Sequence, residues 1–201
     1  PASLDDLVKP AYRGLLVTEN PATSAPGLAF MLTTIARYGE PGWTSWWERL
    51  RANGVQIVDG WEEAYTARFS GAGGSTGTRP IVVSYATSPP AEIIFAKTPP
   101  RRAPTAAVAS TCFRQIELAG VLAGARNVEG ARKLIDFMLG ERFQAAMPES
   151  MFVLPVRPAT PLSPVFRRAA VAPARPLELP ADEIGRNRDR WIAQWTQAAL
   201  R

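Results

Sequence analysis

Histidine is absent from all 201 residues, and with it the usual general base at neutral pH and the commonest metal ligand. Cysteine is reduced to Cys112 alone, which excludes an internal disulfide and a cysteine-built zinc site. A Ser-His-Asp or Cys-His catalytic unit therefore cannot be assembled from this chain. Long apolar runs are missing too, and none is sufficient to span a bilayer. Residues 1–6 have neither a basic n-region nor an apolar h-region, so no signal peptide is expected in the sequence; export stays open. An excess of one charge is also lacking: 23 basic and 18 acidic residues leave a formal +5. Dense basic pieces occur at Arg101-Arg102, Arg167-Arg168 and from Arg186 to Arg190, where Asp189 interrupts them. With no basic stripe interleaved with stacking aromatics, nucleic acid is not an expected partner.

What is present suffices for a folded protein. A hydrophobic content of 46% over this length can bury a core, as one large domain or as two small lobes. The chain is organised around Asn20-Pro-Ala-Thr-Ser-Ala-Pro-Gly27. A strand-like run over residues 13–18 precedes it, and Leu28, Met31, Leu32 and Ile35 follow at the spacing of one helical face. Ser24 stands where an N-cap belongs, and Pro26 fits the first helical turn. Small side chains at Ala22, Ala25 and Gly27 let a ligand approach the backbone. Free N–H groups, two hydroxyls and the positive end of the helix dipole then make an anion site. The same residues also read as nothing more than a well-capped turn.

Further along, helices are expected over residues 27–38 and 43–52, the second with Trp43, Trp46, Trp47 and Leu50 on one side as packing. Asn53-Gly54 ends it. Strands follow at residues 55–58 and 81–85, separated by a helix over 62–69 and a glycine-rich loop over 71–78 that matches no phosphate loop. Strand material is expected at 106–109 and 112–118. An amphipathic helix over 127–139 then points Ala131, Leu134, Ile135 and Met138 inward. A short helix covers 141–146, residues 151–156 run extended, and 157–180 are proline-rich. A last helix opens at Pro180, with Asp182 and Glu183 in its first turn, and turns Ile184, Trp191, Ile192 and Trp195 inward.

Strands alternating with helices predict an α/β fold with a largely parallel sheet. Ligands of such sheets bind beyond the carboxyl ends of the strands. Thr23-Ser24, Asp59-Gly60-Trp61 and Tyr85 with Ser88 all fall there, and Phe152 begins a later extended segment. An anion cradle beside aromatic faces suits a small ring compound that carries a phosphate or a positive charge. Trp61 and Tyr85 read equally as site or as core, whereas Trp46, Tyr65, Phe69 and Trp191 read as core.

The order of these pieces resembles the thiamine-binding periplasmic proteins that feed ABC transporters. The matching runs are Asn20-Pro-Ala-Thr-Ser-Ala-Pro-Gly-Leu-Ala, Asp59-Gly-Trp-Glu-Glu-Ala-Tyr and Val83-Ser-Tyr-Ala-Thr-Ser-Pro. Later ones are Ala131-Arg-Lys-Leu-Ile-Asp-Phe-Met-Leu, Pro155-Val and Asn187-Arg-Asp-Arg-Trp-Ile-Ala-Gln-Trp. The resemblance implies a type II periplasmic-binding-protein-like fold, with two lobes closing by hinge motion on a ligand between them. It implies that the N-terminal part of the first lobe lies outside this sequence. Residues 1–112 are then the ligand-binding lobe, 113–175 the returning part of the other lobe, and 176–201 a helix packing back on the first. Thiamine or its phosphate esters are the implied ligand, with Thr23, Ser24 and Ala25 at the phosphate and Trp61, Tyr85 and Phe152 at the rings. The implied partners are ABC permease subunits and the N-terminal segment of the same protein, and the implied location is periplasmic or extracellular, at the cell envelope. No cofactor, metal or catalysis is implied. A family member has tryptophan where Phe152 stands and tyrosines where Ala91 and Leu154 stand, so ring contacts are weaker here.

Two other readings stand beside this one. A different phosphorylated or cationic ring compound fits the same residues, whereas ferric iron does not, since Tyr85 has no adjacent tyrosine. Thiamine-degrading enzymes of similar fold use a cysteine nucleophile, which makes Cys112 the residue to test. In a regular strand Cys112 and Glu117 point to opposite faces, as for a buried inert thiol.

Overall fold

The computed structural model describes residues 1–201, which divide into two compact units. The first holds residues 1–86, 104–114 and 171–201; the second holds 87–103 and 115–170.

In the first unit, α1 (Leu4–Leu7) leads into β1 (Leu16–Glu19), α2 (Ala25–Tyr38), α3 (Gly42–Ala52) and β2 (Gln56–Val58). A π-helical segment, Glu63–Arg68, precedes β3 (Ile81–Val82). The sheet has the order β2-β1-β3 and is parallel throughout, with Val17 opposite both Gln56 and Val82. All four β1 residues are buried, as the central strand of a covered parallel sheet requires.

Alternation along β1 sends Leu16 to one face and Val17 to the other. Leu16 joins the main core with Phe30, Met31 and Ile35 of α2 and the α3 tryptophans. The last helix of the chain, Ala181–Leu200, closes that core with Trp191, Trp195, Ala198 and Ala199. Indole edges meet indole faces here: Trp46 and Trp47 lie 5.5 Å apart at 88°, and Trp47 and Trp195 lie 5.4 Å apart at 80°. The quadrupoles of the rings favour such edge-to-face pairs. The Trp47 indole N–H donates to Thr34 Oγ1 at 3.0 Å, and that of Trp191 donates to Glu40 at 2.8 Å. Glu40 also pairs with Arg190 at 2.8 Å, and these two bonds hold its carboxyl below the usual range. On the other face, Val17, Val58 and Ala64 form a smaller cluster with Val82.

The second unit contains α4 (Ala91–Ile94), α5 (Val128–Leu139), α6 (Glu141–Met151) and α7 (Pro164–Ala169), and no strand; the terminal helix of the first unit is then α8. Asn127 caps α5 by accepting from the Gly130 N–H at 2.8 Å. Gln144 of α6 stitches its surroundings, donating to the Met138 carbonyl at 2.7 Å and accepting from the Val156 N–H at 2.9 Å.

Two expectations fail here. Residues 106–109 and 112–118 form no strand: Ala109–Thr111 is a 3-10 turn, and one bridge joins Phe113 to Leu177. A strand needs a neighbour for its ladder, and only Leu177 supplies one. The α5 face is not fully inward either: Ala131, Ile135 and Met138 are only half-buried, and Leu134 is 58% exposed. Periodicity identified the apolar face, but α6 covers it only in part. Helix α6 also runs past the expected 141–146, through Pro148 to Met151.

The aromatic clasp generates a stability prediction. Trp195→Ala should cost about 3–5 kcal/mol through the cavity it leaves. Urea denaturation followed by far-ultraviolet circular dichroism measures this, and a cost near zero would show that α8 does not close the core.

Candidate functional site

The carboxyl ends of the three parallel strands lie on one edge of the sheet, and hydrogen bonds tie their turns together. After β1, the Asn20 N–H donates to the Val58 carbonyl at 2.8 Å, while the Asn20 side chain accepts from the Ala22 N–H at 2.9 Å. Thr23 Oγ1 reaches across to donate to the Asp59 carbonyl at 2.7 Å. After β2, the Trp61 indole N–H donates to Ser84 Oγ, beyond β3, at 2.8 Å. The three strand ends thus act as one rigid platform.

Not every donor of the opening turn is available to an anion. The N–H groups of Ala22, Thr23 and Ser24 are all spent on Asn20. Leu28 makes the first bond of the α2 ladder, to the Ser24 carbonyl at 2.9 Å. The N–H groups of Ala25 and Gly27 stand ahead of that ladder, at the positive end of the helix dipole. Ser24 occupies the N-cap position without capping: its buried Oγ has no hydrogen-bond partner. Gly27 lets the helix start press on the strand end, since a Cβ there would lie 2.6 Å from the Glu19 carbonyl oxygen.

The aromatic side is a ladder of rings. Trp61 stacks on Tyr65 at 4.9 Å and 22°, and Tyr85 tilts against Trp61 at 6.1 Å. Tyr65 and Phe69 are buried, Trp61 is half-buried, and Tyr85 is 38% exposed. Of the residues singled out from sequence, the structure therefore brings Trp61 and Tyr85 together, and ties Thr23 to the turn that carries Trp61. Phe152 belongs to the second unit. It adopts a left-handed backbone (φ 54°) at the end of α6, and its ring lies 5.5 Å from Phe95 and 6.0 Å from Phe166. Its carbonyl accepts a hydrogen bond from Thr87 Oγ1.

Cys112 is half-buried, and burial pushes its thiol above the ordinary value. An activated nucleophile is shifted the opposite way.

Sequence reasoning missed Glu19. Its side chain is fully buried at the end of the central strand, and neither carboxyl oxygen has a hydrogen-bond partner. Burial pushes the carboxyl up to about 8. The signal was alternation: Glu19 lies two residues after Val17 and so on the same face of the sheet.

The profile of the family described as bacterial extracellular solute-binding protein matches residues 1–187. The chain belongs to this family. Curated relatives of this solute-binding protein include the thiamine-binding periplasmic proteins of Brucella melitensis, 32% identical over 202 residues, and of Escherichia coli, 30% identical over 201. Both alignments cover 100% of this chain and 58% of the relative, so the chain spans less than two thirds of their length. Among solved structures, a periplasmic thiamin binding protein superposes with a TM-score of 0.79 at 28% identity, over 100% of this chain and 60% of that one. The periplasmic binding protein P5PA shares the fold, with a TM-score of 0.66 at 21% identity over 99% of this chain and 60% of that one. The α/β fold is thus that of periplasmic binding proteins. No helix is long and apolar enough to cross a membrane.

Two outcomes follow from the site geometry. Ser24→Ala removes a hydroxyl that bonds nothing, so urea denaturation should show a change within about 0.5 kcal/mol, where an engaged N-cap typically costs about 1. For Glu19, the folded protein holds its proton more tightly than the unfolded chain, whose carboxyl titrates near 4.5. Stability should therefore fall as pH rises between about 4.5 and 8, by up to about 1.4 kcal/mol per pH unit. Glu19→Gln should flatten that slope, as urea midpoints across this window would report.

Proposed function

We propose that this chain is part of a periplasmic protein that binds thiamine or its phosphate esters for an ABC importer, without catalysis. One observation supports the reading most: hydrogen bonds fasten the anion-suited turn and the Trp61–Tyr85 rings to one platform at the carboxyl ends of parallel strands. The Ser24 hydroxyl and the Ala25 N–H are the groups proposed to receive a phosphate, with Thr23 holding the turn in place. Trp61 and Tyr85 offer ring faces to an aromatic cation. Phe152 keeps its assignment as a ring contact from the resemblance alone. The similarity to proteins named for thiamine supports this ligand among cationic rings that bear a phosphate.

The partners follow from the same reading. A solute-binding protein of an importer delivers its ligand to permease subunits. The relatives also carry further length, and we assign to the equivalent length of this protein the covering of Leu134, Phe137 and Leu139 on α5.

A tryptophan-fluorescence titration with thiamine, thiamine monophosphate and thiamine diphosphate tests the proposal. The expected result is a saturable quench that Trp61→Ala abolishes, with a preference for the esters that Ser24→Ala reduces about tenfold, as for loss of one charge-assisted hydrogen bond. No response from either this chain or its longer form would reject thiamine as the ligand.

A further inference from the structure

Glu19 plays no part in the proposed contacts, yet it is placed to affect them. The β1–β3 ladder continues beyond β3, with the Val83 N–H donating to the Val17 carbonyl at 3.0 Å. Extending the register from Val17 opposite Val82 sets Glu19 opposite Ser84, the residue that anchors the Trp61 indole. On its other side Glu19 is paired with Val58, one residue before Asp59. Its side chain lies on the face of Val17, Val58 and Val82, the face on which Ala64 of the π-helical segment packs. The carboxyl thus sits in the layer directly beneath the strand ends that carry Trp61 and Tyr85.

No charge neutralises it there. The elements packed most extensively against β1 are β2, β3, α2 and the π-helical segment. Strands β2 and β3 have no titratable residue, and Asp59 just beyond β2 is exposed. Arg37 and Tyr38 lie at the far end of α2, and Asp5 engages both. On the π-helical segment Glu63 and Arg68 pair with each other at 2.6 Å, and Tyr65 is occupied in the ring stack. A carboxyl without partners in dry surroundings keeps its proton. A positive charge arriving nearby reverses that preference, because Coulomb attraction is weakly screened there.

We infer that the Glu19 carboxyl is the counter-charge for a cationic ring held at the Trp61–Tyr85 pair, and that it releases its proton to solvent as the cation binds. The inference rests on the cationic-ring reading above and adds to it a residue that selects for charge. No contact with the ring is needed, since a carboxylate one layer below acts through its field. A neutral ring of similar size gains nothing from it.

Thiamine itself is the probe, since it has no phosphate to titrate. Affinity is read by fluorescence between about pH 6 and 8, and proton release by calorimetry in Tris and in Pipes. Affinity is expected to strengthen with pH, approaching about tenfold per unit while a full proton is released, and the apparent binding heat is expected to depend on the buffer. Glu19→Gln should bind with little pH dependence, at about the wild-type affinity of the acid end, and a neutral aminopyrimidine should show no pH dependence. Saturable binding with a flat pH profile and buffer-independent heats, or a slope that survives in Glu19→Gln, overturns the role of Glu19 and leaves the ligand reading intact. Absence of thiamine binding at every pH overturns both.

Discussion

The structure depends on a few indoles that interlock. Trp46 and Trp47 of α3 and Trp195 of α8 meet edge to face, and Phe30 of α2 packs its ring against Trp46 and Trp47. Large rings bury much apolar area with little side-chain freedom to lose, so the contact is both strong and directional. It fixes α2, and α2 in turn fixes the end of β1, because Gly27 lets the first helical turn sit on the Glu19 carbonyl. The positions of the opening turn, and through Thr23 of the turn after β2, follow from that contact. A rigid hydrophobic layer on one face of the sheet thereby sets the geometry of a polar edge that it does not touch.

That edge is economical in its donors. The opening turn uses three N–H groups to hold its own shape, all on Asn20, and leaves few to face outward. The buried hydroxyl of Ser24 and the buried carboxyl of Glu19 are both left without partners. Native proteins satisfy nearly all buried polar groups. Thr18 Oγ1 beside Glu19, Thr105 Oγ1 and the core indole N–H groups of Trp46 and Trp195 are unpartnered as well. Ser24 and Glu19, however, flank the turn at the strand ends, where a ligand can complete unmet hydrogen-bonding capacity.

Much of this was legible in the sequence. Helices α2, α3 and α8 announce themselves through a 3.6-residue apolar period, proline near the start of α2 and α8, and Gly39 or Asn53-Gly54 at the ends of α2 and α3. The gathering of Thr23, Trp61 and Tyr85 on one edge was legible because parallel strands end together. The segment over 106–118 was misread because β-rich composition reports a preference, whereas a ladder needs a partner, and only Leu177 is present. Leu134 was misread because periodicity identifies an apolar face but not what covers it. Glu19 escaped notice because a glutamate at a strand end reads as solvated; the π-helical segment, remote from the local pattern, covers the face on which it lies.

The way the chain is threaded has a further consequence. The first unit is assembled from three separated stretches, and two of its core tryptophans reside in the last helix, Ala181–Leu200. A ribosome adds some 5–20 residues each second. For most of that synthesis the Trp47 ring has no Trp195 to pack against, and the apolar faces of α2 and α3 lack their lid. Completion of the core thus waits until Ala181–Leu200 has been made.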